Sequence, residues 1–122
     1  MNEVTNMYNL FLDDYRDPHK FLSDIGTWVV VRNYNQFIEI IEKQGLPRFI
    51  SFDHDLAEEH YEQSSDCSKY KEKTGYDCAK WLIEYCMRTN QSLPSWQVHS
   101  MNPVGKININ QILMTFKEKI LL

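Results

Sequence analysis

The 122-residue chain predicts an α/β sandwich, a mostly parallel sheet of about four strands layered between helices. Three observations predict it. Four short apolar runs, rich in Val, Ile and Phe, lack the strict alternation of a half-exposed strand, which suits strands covered on both faces. Other segments repeat apolar residues at spacings of three and four, the period of a helix with one buried face. The two patterns follow one another along the chain, as crossover connections between parallel strands require.

The first run, residues 8–12 (YNLFL), leads into Asp13, Asp14, Tyr15 and Arg16. Residues 14–26 hold Pro18, Gly26 and few periodic apolar residues, so an irregular loop with at most a shortened helix is expected there. The other runs are residues 28–31, 48–52 and 96–101, and the expected strand order is 2-1-3-4. The first helix carries Phe37, Ile38, Ile40 and Ile41 and is stopped by Gly45 and Pro47. The second carries Ala79, Leu82, Ile83 and Cys86 and begins at a capping box of Thr74 with Asp77. The third carries Ile109, Ile112, Leu113, Phe116 and Ile120 behind an Asn102 N-cap and a first-turn Pro103. Residues 57–73 are polar, charged and aperiodic, and are expected to form a mobile, lid-like loop above the sheet. One domain over residues 1–122 accommodates all of this.

Composition narrows the function. With 43% hydrophobic and 25% charged residues the chain is of globular type. No apolar run approaches the roughly 20 residues of a membrane span, and the start, MNEVTNMYN, lacks a secretion-signal pattern, so a cytoplasmic protein is expected. Cys67, Cys78 and Cys86 are odd in number and without metal-ligand spacing, and read as reduced thiols. A net charge of −4 gives no general attraction to a nucleic-acid backbone, while a local Arg or Lys cluster can still hold a small phosphate.

Parallel strands joined by right-handed crossovers bring the residues after each strand to one edge, where ligands bind. Here those residues are Asp13, Asp14 and Arg16; Arg32 and Asn33; Asp53, His54 and Asp55; and His99, Ser100, Met101 and Asn102. Several carboxylates at one edge repel unless a cation or shared proton offsets them, and hard oxygen ligands suit Mg2+ or Mn2+. Asp13, Asp14 and Asp53 are therefore the candidate metal ligands, with Asp55 able to replace Asp13. His54 and His99 are candidates for general base and acid, in either assignment, with Asp55 orienting His54. The helix start at Asn102, with Gly105, Lys106, Ser100 and Arg16, is the candidate phosphate cradle, although Asn102 also suits an ordinary N-cap.

The motifs LDDYRDP, SFDHDL, TGYD and HSMNPVG, in that order, resemble the cyclic-phosphate processing receiver-like family, which is related to the receiver domains of response regulators. The resemblance implies a receiver-like, flavodoxin-type three-layer sandwich. In receivers the paired acids after the first strand and the acid after the third bind magnesium, positions matched here by Asp13, Asp14 and Asp53. Ser100 matches the receiver Ser or Thr after the fourth strand, but no fifth strand is read to carry the receiver lysine. His54, Asp55, His99 and Asn102 are groups that a phosphate-ester hydrolase uses and a phospho-switch does not need. The expected activity is metal-dependent opening of a cyclic phosphate on a nucleotide or RNA end. The alternatives are a non-catalytic binder of a cyclic nucleotide or other phosphorylated ligand, with Tyr15, Tyr61 or Tyr76 stacking on a base, and a protein-docking module.

Overall fold

The structure, a computed structural model, describes residues 8–17, 27–56 and 73–121. Strands β1 (Tyr8–Leu12), β2 (Thr27–Val31), β3 (Phe49–Phe52) and β4 (Ser95–Val98) lie in the order β2-β1-β3-β4, and every pair is parallel. That is the predicted order. The fourth run is shorter than residues 96–101: regular pairing stops at Val98, and only the His99 N–H, donating to Phe52 O at 2.9 Å, continues the ladder.

Helix α1 (Tyr34–Gln44) starts where the Asn33 side chain accepts the Gln36 N–H. It stops at Gly45, whose φ of 86° few side chains tolerate and whose N–H returns to Ile41 O at 2.8 Å. Helix α2 (Gly75–Thr89) begins at the predicted capping box of Thr74 and Asp77 and ends at Asn90 in the left-handed conformation. Helix α3 (Pro103–Leu121) follows Asn102, whose side-chain oxygen accepts the Gly105 N–H at 3.0 Å.

The three helices pack in sequence, α1 on α2 and α2 on α3, as one layer against one sheet face. Leu10, Leu12, Ile50 and Phe52 of the sheet are fully enclosed by Phe37 and Ile41, Ala79 and Leu82, and Ile109 and Leu113. Each large apolar side chain buried this way contributes about 2 kcal/mol. Phe37 joins the layers, its ring 5.9 Å from that of Phe52 and 6.2 Å from that of Trp81. The opposite face carries Phe11, Trp28 and Phe49 in edge-to-face contact. The expected loop or short helix over residues 14–26 is described only as far as Asp17, and the expected lid over residues 57–73, with Tyr61 and Cys67, lies outside the described residues except for Lys73. Cys78 and Cys86 are buried free thiols. No described helix is long and apolar enough to cross a membrane.

Candidate functional site

The ladder places the site. Strand register pairs Leu12 with Val31 and with Phe52, and Phe52 with Val98, so the next residue of each strand falls in one row: Arg32, Asp13, Asp53, His99. Backbone bonds hold the row, with Asp13 N–H donating to Val31 O, Asp53 N–H to Leu12 O and His99 N–H to Phe52 O at 3.1, 3.0 and 2.9 Å. Neighbouring strands are about 4.8 Å apart, so these side chains are forced together. Ligand atoms of Asp13, Asp53 and His99 all lie within 4.8 Å of one another.

Asp13 is fully buried and both its carboxylate oxygens are engaged. Its Oδ1 accepts the Tyr15 and Arg16 N–H groups at 3.0 and 2.8 Å, and its Oδ2 accepts His99 Nε2–H at 2.9 Å. Burial alone would raise its pKa, but the His99 hydrogen bond, the two backbone donors and the Arg16 charge outweigh it and pull the value down to about 2. Asp53 moves the other way. Burial and the neighbouring Asp13 charge raise its pKa against the opposing pull of His99, Arg16 and a hydrogen bond from Ser100. Its Oδ2 is buried and has no hydrogen-bond partner. Arg16 stands over both acids, Nε 2.8 Å from Asp13 Oδ2 and Nη2 3.5 Å from Asp53 Oδ2.

Both nitrogens of His99 are engaged. Because ionised Asp13 can only accept, Nε2 carries the proton, and Nδ1 lies 2.7 Å from Ser51 Oγ, which also accepts from Gln97 Nε2 at 2.9 Å. The imidazole stacks on Phe11 with ring centroids 4.5 Å apart. Ser51 and Gln97 align with Phe11 in register, which explains polar residues at these strand positions.

His54 belongs to a second group. Its Nδ1 lies 2.9 Å from Asp55 Oδ1, which also accepts from Asn102 Nδ2 at 3.3 Å. A Cβ on Gly105 would come within 2.4 Å of the His54 ring, and one on Gly75 within 1.9 Å of Asp53 O. Gly105 therefore makes room for the imidazole. Gly75 lets α2 abut the Asp53–His54 peptide, where its N–H donates to His54 O at 2.8 Å, and this is the physical content of the TGYD motif. Ser100 links the two groups, since its Oγ accepts the Asn102 N–H at 3.1 Å and its hydroxyl bonds Asp53.

Among the predicted ligands, Asp13 and Asp53 come together and His99 completes the group, while Asp14 is half-buried, lies outside it and has contacts of its own. In the phosphate cradle the Gly105 N–H is already taken by Asn102 as an ordinary N-cap, and Lys106 is exposed at the helix start. The roles of Arg32, Ser51 and Gln97 were not read from the sequence. Arg32 clamps the first loop, donating to Asp13 O and Arg16 O at 3.3 and 2.7 Å and pairing with Asp17 at 2.7 Å. Its position just past β2 was the available signal; for Ser51 it was a lone hydroxyl inside a buried apolar strand.

Parallel strands in the order 2-1-3-4, with acids directly after the first and third, define a receiver-type α/β domain. The family model for the cyclic-phosphate processing receiver domain matches residues 8–115, and the chain belongs to that family. Among curated proteins and solved structures none matches.

Proposed function

We propose that this domain hydrolyses a cyclic phosphodiester, a 2′,3′-cyclic phosphate at a nucleotide or RNA end, to a phosphomonoester with Mg2+ or Mn2+. The observation that carries this reading is the buried row of Asp13, Asp53 and His99, in which Asp53 Oδ2 has no hydrogen-bond partner. A buried carboxylate oxygen without a donor fits a hard cation, and Asp14 is a further carboxylate at hand. A bound ion supplies Lewis acidity at a non-bridging phosphate oxygen.

His54 is the better candidate for the general base. Asp55 holds its Nδ1, which leaves Nε2 to take the proton of the attacking water as the new P–O bond forms. The bond from phosphorus to one ribose oxygen breaks, and that oxygen takes a proton. His99 holds one at Nε2 beside the acids. Arg16, Ser100 and Lys106 offset the charge that grows on the phosphate oxygens, and Asn102 orients Asp55. A second reading, a binder that holds the cyclic phosphate without opening it, is favoured by the burial of His54, which is 4% exposed, and by the engagement of both His99 nitrogens. Docking of another protein is the third reading.

Phosphorus NMR of a panel of 2′,3′- and 3′,5′-cyclic nucleotides, with Mg2+ or with chelator, tests the proposal. The expected result is metal-dependent conversion of the 2′,3′ compounds to monoesters, reduced about 10²-fold or more in His54→Ala and in His99→Ala. Ligand that binds but returns intact selects the binder, and no binding at all selects the docking module.

A further inference from the structure

Arg16 is held to the acid pair in an unusual way. Its Nε is buried 2.8 Å from Asp13 Oδ2, and its Nη2 lies 3.5 Å from Asp53 Oδ2, an oxygen without a hydrogen-bond partner. One guanidinium thus serves two carboxylates, and its hold on Asp53 is the longer one. Its backbone, by contrast, is pinned: Arg16 N–H donates to Asp13 Oδ1 and Arg16 O accepts from Arg32 Nη1 at 2.7 Å. The side chain remains 31% exposed, with the ring of Tyr15 5.5 Å from its Cζ on the solvent side. A fixed backbone and a part-exposed head let the side chain turn outward without moving the loop.

Charge balance says when each is occupied. Two carboxylates and one guanidinium leave a net negative charge, which repels a singly charged phosphodiester. A divalent ion on the carboxylates takes the place of Arg16 there, since like charges now repel, and turns the site net positive.

We propose that Arg16 is the site's internal counter-ion, exchanged for the divalent ion and then turned onto the phosphate, so that metal and phosphate bind with positive coupling through this one side chain. The inference rests on the metal-dependent reading above and adds an order, ion first and phosphate second. By linkage the coupling is reciprocal: phosphate tightens the ion by the factor by which the ion tightens phosphate.

Calorimetric titration of Mg2+ into the full chain, with and without inorganic phosphate and corrected for their mutual binding, tests it on wild type, Arg16→Gln and Asp53→Asn. Wild type should bind Mg2+ about five-fold or more tightly with phosphate present. Arg16→Gln should bind Mg2+ about five-fold or more tightly than wild type without phosphate, and phosphate should then tighten it by a smaller factor than in wild type. Arg16→Met, with a similar stem and no charge, gives the same readout should the Gln variant fail to fold. An uncharged variant that binds Mg2+ no tighter than wild type, or coupling undiminished in it, overturns the inference while Mg2+ binding lost in Asp53→Asn keeps the metal reading. Absence of Mg2+ binding in wild type and both Arg16 variants overturns the two together.

Discussion

Asp13 and Asp53 are neighbours in one row, and the fold treats their charges oppositely. The Asp13 pKa lies below that of an unfolded chain, at about 2, so its charge stabilises the fold fully above the ordinary carboxylate range, and this contribution is lost as pH falls toward about 2. The gap from the ordinary 3.8 corresponds to about 2 kcal/mol. Urea unfolding of Asp13→Asn should therefore show a loss of at least about 2 kcal/mol at pH 7 and a smaller one at pH 3. Asp53 has the raised pKa, so its charge costs stability above that value and the cost disappears in acid. Asp53→Asn should melt at or above the wild-type temperature in chelator at pH 7, because it removes a charge that burial and Asp13 disfavour. A lower melting temperature would contradict the reading of Asp53 as a strained, ligand-seeking acid. That acids gather at this edge was legible from the strand ends. Which of them touch was not, because strand register, absent from a linear pattern, selects Asp13 and Asp53 and brings His99 rather than Asp14 beside them.

At the scale of elements, the start of α3 is shaped by the imidazole it covers. Gly105 has no positive φ to explain it, and alanine would favour the helix by about 1 kcal/mol. The 2.4 Å approach of a Cβ to the His54 ring reverses that preference. Gly105→Ala should lower stability and any turnover, and in a His54→Ala background the same change should be neutral or stabilising; equal effects in both backgrounds would contradict the contact. Gly75→Ala should be worse, since the obstacle is the Asp53 carbonyl rather than a side chain that can turn. Helix starts were legible because Thr74, Asp77, Asn102 and Pro103 carry local cap chemistry. The end of β4 was not: residues 96–101 read as one apolar run, but Met101 is 82% exposed and belongs to the turn into α3. Apolar identity does not report which apolar residue has a neighbour to pack against.

At the scale of the molecule, strand order and direction follow from alternating strands and helices, and they make a single carboxyl edge where the site must lie. A groove of about 660 Å3 lies elsewhere, between α2 and α3, lined by Tyr76, Ile83, Met87, Ile112 and Phe116. Among the described residues that line it there is no acid or histidine. The central claim is that stability is given up at the sheet edge in exchange for phosphate chemistry, and Asp53 concentrates it. The most direct measurement is turnover of a 2′,3′-cyclic nucleotide with Mn2+ by an Asp53→Asn preparation whose melting curve shows it folded. The account predicts a protein at least as stable as wild type that has lost about 10²-fold or more of the wild-type rate. Wild-type turnover by that folded variant would contradict it.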